Sequence, residues 1–134
     1  MEPPVSNTEP IRVLLVEDEY LISERVAELL AEHGFTVCTA TNGMDALRCL
    51  ASVPVDILFT DINLPGSMDG TMLARRAREL LPDLPVVYAS GRVNILDPQV
   101  RVPGSTFMPK PYVPSLIGRV LANAVKSAAA RVPA

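Results

Sequence analysis

The sequence predicts a doubly wound α/β domain with a parallel central sheet, and three observations carry that prediction. Strand-like and helix-like segments alternate five times along the chain. The strand-like runs, Ile11 to Val16 and Ile57 to Thr60 among them, are continuous apolar stretches, as expected of strands covered on both faces. Acids end two of these runs, Glu17-Asp18 and Asp61, and Lys110 follows a third. Residues just past parallel strands lie at the edge where such sheets place ligands.

The elements follow in order. Residues 1–10 hold three prolines and polar side chains and read as a flexible leader. Ile11 to Val16 is the first strand. Glu19 to His33 is a helix, with Leu21, Ile22, Val26, Leu29 and Leu30 on one face at helical spacing. Gly34 stops it, and His33 fits the electronegative helix end. Phe35 to Thr39 is the second strand. Asn42-Gly43 turns the chain into a helix over Met44 to Ala51, with Ala46, Leu47 and Leu50 inward. Asp56 to Thr60 is the third strand, and residues 61–69 form a loop with Pro65 and Gly66. Gly70 to Leu81 is a helix ended by Pro82, and its Arg75, Arg76 and Arg78 read as a solvated face. Val86 to Ala89 is the fourth strand, and Ser90-Gly91 turns out of it.

Residues 92–105 leave little room for a stable helix, because Pro98 and Pro103 interrupt its hydrogen bonding. Gly91 and Gly104 bracket the segment, which the sequence predicts to be the mobile part of the fold. Ser105 to Met108 is the fifth strand. Pro114 opens a last helix with Leu116, Ile117, Val120, Leu121 and Ala124 as its apolar stripe. The domain is expected over 11–128, with a frayed tail over 129–134.

Composition bounds the function. The chain has 134 residues, the size of one domain, and is 49% hydrophobic, enough for a sizeable core. Only 4% is aromatic, so that core must be mostly Val, Leu, Ile and Ala. A net charge of -3 argues against a nucleic-acid surface. No apolar run approaches the roughly 18 residues of a membrane span, and no targeting segment is legible, so a cytoplasmic location is expected. Cys38 and Cys49 then stay reduced. Their spacing fits no metal motif, and both read as small buried hydrophobes.

Three acids and a lysine converging at one sheet edge form a candidate phosphoryl and cation site. Clustered carboxylates raise one another's pKa, and a divalent cation removes that cost. Oxygen-only donors with room for water suit Mg²⁺. Asp18 and Asp61 are the candidate direct ligands, Glu17 one acting through water, and the Asn63 backbone carbonyl a further donor. Asp61 is the candidate nucleophile toward phosphorus. Lys110 and the Ser90 hydroxyl are placed to meet phosphoryl oxygens in a loose, in-line transfer.

Taken together, these motifs resemble the response-regulator receiver domain over about residues 11–128. They are Val16-Glu17-Asp18, Asp61 with Pro65 and Gly70, Ser90-Gly91, and Lys110-Pro111, in the family's order and spacing. The resemblance implies a flavodoxin-like five-stranded sheet of order 2-1-3-4-5. It implies that Asp61 accepts a phosphoryl group from a phosphohistidine on a histidine kinase or histidine phosphotransfer protein. Ser90 and Phe107 match the family's hydroxyl and aromatic switch positions, and Lys110-Pro111 matches a peptide that is cis in the family. Tyr88-Ala89-Ser90-Gly91 resembles the Phe-Ala-Thr-Gly run of single-domain receivers whose fourth helix is short or mobile. The loop after Asp61 is longer than in the chemotaxis receiver, and the stretch from Ser90 to Lys110 is shorter.

The expected function is a stand-alone phosphorelay receiver with only weak self-catalysis, signalling by phosphorylation-dependent protein contact or onward phosphotransfer. One alternative is a phosphorylation-independent interaction domain of the same fold, though such domains usually lose an acid or the lysine. Another is a haloacid-dehalogenase-like phosphatase. That enzyme wants an aspartate two positions after the nucleophile, where this chain has Asn63. Glu17-Asp18 taken alone would read as helix-capping acids.

Overall fold

A computed structural model describes residues 9–91 and 100–131. Five strands are present: β1 Arg12–Val16, β2 Thr36–Ala40, β3 Ile57–Asp61, β4 Val86–Ser90 and β5 Thr106–Pro109. Four helices accompany them among the described residues: α1 Tyr20–Glu32, α2 Gly43–Ser52, α3 Gly70–Leu80 and α4 Pro114–Arg131. The strands form one parallel sheet in the order β2-β1-β3-β4-β5.

Alternation along each strand sorts the core into two layers. Leu14, Val16, Leu58, Val86 and Tyr88 point to the side covered by α2 and α3, with Ala46, Leu50, Leu73, Ala74 and Ala77. Val13, Leu15, Ile57, Phe59, Val87 and Ala89 point to the side covered by α1 and α4, with Val26, Leu30, Ile117 and Leu121. Every residue of β3 and β4 is buried, which is why those segments read as unbroken apolar runs.

Local chemistry sets the helix ends. Asn42 caps α2, its side-chain oxygen accepting from the Asp45 N–H at 2.8 Å. Asp69 caps α3, accepting from the Met72 N–H at 2.9 Å. Gly34 takes φ 90° after α1, the left-handed conformation that glycine adopts freely. His33 ends α1, with its Nδ1 2.9 Å from the Leu29 carbonyl oxygen, in keeping with the structural role expected of it.

Several expectations are corrected. Leu21 is 76% exposed and Leu116 44% exposed, so neither belongs to its helix's buried stripe. Arg78 is not part of a solvated face. Its Nε donates to the Leu84 carbonyl at 2.6 Å and its guanidinium NH2 to the Pro103 carbonyl at 2.9 Å, while Arg75 and Arg76 are exposed. Cys38 and Cys49 are half-buried rather than buried. Helix α4 runs to Arg131, and Ala128 is buried.

The segment expected to be mobile, 92–105, is divided. Residues 92–99, Pro98 among them, lie outside the described residues. Residues 100–105 are tied down: Val102 is buried and donates its N–H to the Tyr88 hydroxyl at 3.1 Å. Arg101 Nε donates to the Ser105 hydroxyl at 3.0 Å, and its NH2 donates to the Ser105 carbonyl. Among the described residues, no helix stands between β4 and β5.

Candidate functional site

The parallel register brings the candidate residues to one edge. Val16 lies beside Thr60, Asp61 beside Ala89, and Ser90 beside Pro109. The residues at or just past these positions are Glu17, Asp18, Asp61, Ser90 and Lys110. Asp61 closes β3 itself, where the sequence reading placed it just past the strand.

Lys110 joins the acids. Its Nζ donates to Glu17 Oε1 at 2.8 Å and to Asp61 Oδ2 at 3.2 Å. The side chains of Glu17 and Asp61 are 2% and 9% exposed, that of Lys110 17%. Glu17 Oε2 accepts from the Glu19 N–H at 3.1 Å, and Asp61 Oδ1 from the Asn63 N–H at 3.3 Å. Asp18, by contrast, is exposed. Carboxylate oxygens of Glu17, Asp18 and Asp61 lie within 4.8 Å of one another. Glu19 takes the cap position of α1 without a side-chain cap bond, and the first turn carries no acid, so Glu17 meets both the N–H at this helix start and the Lys110 ammonium.

The charges do not balance within the cluster. Burial raises the Glu17 pKa; the hydrogen bonds from Lys110 and the Glu19 N–H oppose it, and the Asp61 charge adds to it. Burial also works against the Lys110 ammonium, but its hydrogen bond to Glu17 and the field of Asp61 outweigh that, and its pKa is raised. The two directions are compatible. Lys110 faces two carboxylates, whereas Glu17 shares one ammonium with Asp61 and pays the larger desolvation cost. Three carboxylates against one ammonium leave an excess of negative charge, and oxygen-only donors of this kind fit a hard divalent cation.

The backbone beneath Asp61 is closely packed. The Gly70 N–H donates to the Ile62 carbonyl at 2.8 Å. A Cβ on Gly70 would stand 2.1 Å from the Asp61 carbonyl oxygen, so only glycine lets α3 start this close to the end of β3. Ser90 is buried at the end of β4, and its carbonyl accepts from the Lys110 N–H at 2.8 Å. Phe107 lies beside Tyr88 in the register and is half-buried against the α2/α3 layer. The Lys110-Pro111 peptide is cis, as the resemblance implies.

Sequence reasoning missed Tyr112 and the role of the Tyr88 hydroxyl. Tyr112 packs edge-on to Phe59 with ring centroids 5.7 Å apart, and Lys110 Nζ stands 5.7 Å from its ring. Burial, then the charges of Glu17 and Asp61, push its phenol pKa up, so it stays a neutral wall of the site. An aromatic directly after Lys110-Pro111 was the available signal. Tyr88 read as part of the fourth strand and of the Tyr88-Ala89-Ser90-Gly91 run, with no role for its hydroxyl, which anchors Val102.

Known proteins resemble this chain in sequence and fold. The family model described as the response regulator receiver domain matches residues 13–117. The response regulator receiver protein CpdR of Brucella abortus is 35% identical over 103 residues, covering 75% of this chain and 85% of CpdR. The sensor histidine kinase RcsC of Escherichia coli is 36% identical over 83 residues, 62% of this chain but only 9% of RcsC. The uncharacterized transcriptional regulatory protein YbdJ of Bacillus subtilis is matched over 45% of its length, so the chain spans a minor part of several relatives. Among solved structures, a response regulator receiver protein from Sinorhizobium medicae superposes with a TM-score of 0.83 at 28% identity, covering 90% of this chain and 98% of that one.

Proposed function

The chain belongs to the response-regulator receiver family and is a receiver domain of two-component signalling; from that premise we propose that Asp61 accepts a phosphoryl group from a phosphohistidine donor. The observation that carries this reading is the Lys110 ammonium set between Glu17 and Asp61 at 2.8 and 3.2 Å, at the end of the central strand. A carboxylate so placed is paired with an ammonium, oriented by the Asn63 N–H and set at the sheet edge.

An Asp61 oxygen attacks phosphorus as the P–N bond to the donor imidazole breaks, giving an aspartyl phosphate. Lys110 moves its charge from the carboxylate pair to the phosphoryl oxygens. Ser90 supplies a hydroxyl to another phosphoryl oxygen, and Phe107 repacks as Ser90 turns. Asp18 and Asp61 would hold Mg²⁺, with Glu17 acting through water and the Asn63 carbonyl as a further donor. Bound there, the cation would neutralise negative charge on the transferring group.

The domain works as a signalling module, and its only catalysis is transfer to its own Asp61 and slow hydrolysis there. Its donor is a histidine kinase or a histidine phosphotransfer protein. Likeness to CpdR over most of that protein's length supports a stand-alone receiver that signals by protein contact or onward transfer. No helix among the described residues is long and apolar enough to cross a membrane.

Acetyl phosphate with Mg²⁺ tests the reading. A single stoichiometric burst of acyl phosphate is expected, with slow decay. Sustained turnover of a generic phosphate ester would instead mark a phosphatase. Lys110→Ala is expected to accept some phosphate yet lose phosphorylation-dependent partner binding.

A further inference from the structure

We propose that Cys38 and Cys49 form a reversible intramolecular disulfide, a modification site distinct from the acidic edge and independent of the function proposed for it. The two residues are eleven positions apart, but their sulfurs lie 3.6 Å from each other. Both thiols are free and half-buried.

The fold produces this meeting. Cys38 sits in the middle of β2, in register with Leu14, on the side of the sheet covered by α2 and α3. After the Asn42 cap, α2 runs back across that side and buries Ala46 and Leu50. Cys49, one turn on from Ala46 and next to Leu50, faces β2. A disulfide is about 2.05 Å long, so the two sulfurs, 3.6 Å apart, must approach by about 1.5 Å to bond. Partial exposure leaves both sulfurs within reach of a small oxidant.

The oxidant class is a low-molecular-weight disulfide. The Cys38 thiolate attacks one of its sulfurs, forming a mixed disulfide and releasing the first small thiolate. Cys49 then gives up its proton to solvent and its sulfur attacks that of Cys38, releasing the second. The two cysteines lose two electrons, the external disulfide gains them, and the two protons end on the released thiols. Burial, then the hydrogen bond and charge of Cys38 and the charge of Asp45, raise the Cys49 pKa. In a reducing compartment such a bond is transient, the behaviour of a redox-responsive pair. Once formed, it fastens α2 to β2 and restricts the unfolded chain.

The test uses the full chain, reduced, freed of reductant and equilibrated with oxidised glutathione. Both free thiols should disappear together, with a monomer mass lower by two hydrogen atoms and a digest peptide joining Cys38 to Cys49. The melting temperature should rise and return on adding dithiothreitol. Cys38→Ser and Cys49→Ser should each stop at a glutathione adduct, and if a variant fails to fold, the wild-type digest decides alone. Thiols that stay free, a glutathione adduct that persists on the wild type, or bridges only between two chains would overturn the proposal.

Discussion

Leu14 and Asp61 stand on neighbouring strands of one sheet and are held in opposite ways. Leu14, inside the sheet, is fully buried among apolar side chains from α2, α3 and the adjoining strands. Each contact there is weak and non-directional, and many act together. Asp61, at the edge, depends on one ammonium, one backbone N–H and two acidic neighbours. The interior therefore carries the stability of the domain. The edge holds charge that the protein alone leaves unbalanced, and that imbalance is what makes it ready for a cation and a phosphoryl group.

Truncating the interior should have the largest effect on folding. Leu14→Ala removes side-chain volume from a site with no exposure, and a loss of about 2–5 kcal/mol is expected in denaturant unfolding. A loss below about 1 kcal/mol would mean the layer repacks and the contrast is weaker than drawn.

At the edge, the next largest effect falls on the shared cation. Lys110→Ala strands two buried carboxylates, and a loss of about 3 kcal/mol is expected without added metal, the low end for breaking a buried pair because Lys110 keeps 17% exposure. Added Mg²⁺ should recover part of it.

Glu17 gives the edge a pH signature that the interior lacks. Its pKa is raised above the ordinary 4.5, so the folded state holds that proton more tightly than the unfolded chain. The stability it contributes is fully present below about 4.5 and is lost as pH rises through the raised folded value. In chelator, wild type should lose stability relative to Glu17→Gln across that window, as read by urea unfolding at a series of pH values. A difference that moves the other way would show the Lys110 pair dominating burial.

The smallest effect has the opposite sign. Asp18 is exposed beside two other acids, so Asp18→Asn should stabilise the cation-free protein by about 0.2–1 kcal/mol while abolishing Mg²⁺-dependent phosphorylation. Destabilisation by this change would show that the acids are not in conflict.

The same contrast decided what could be read from the sequence. Continuous apolar runs showed the buried strands, and parallel strands put their carboxyl ends at one edge, so Asp61, Glu17-Asp18 and Lys110 were legible as a cluster. Which acid of the pair is buried was not, because that depends on the chain's path out of β1 toward Lys110. Arg78 read as surface because its partners, the Leu84 and Pro103 carbonyls, are backbone groups with no side-chain signature. Leu21 and Leu116 fit an apolar period, but the rotation of each helix on the sheet leaves them outside. The approach of Cys38 to Cys49 needed the crossing of α2 over β2, which spacing alone does not supply.

The most direct measurement maps the modified residue after treatment with acetyl phosphate and Mg²⁺. One phosphoryl group is expected, on the peptide containing Asp61, with no labelling in Asp61→Asn beyond background. Labelling of Asp61→Asn at the wild-type level, or a phosphoryl group mapped to another residue, would contradict it.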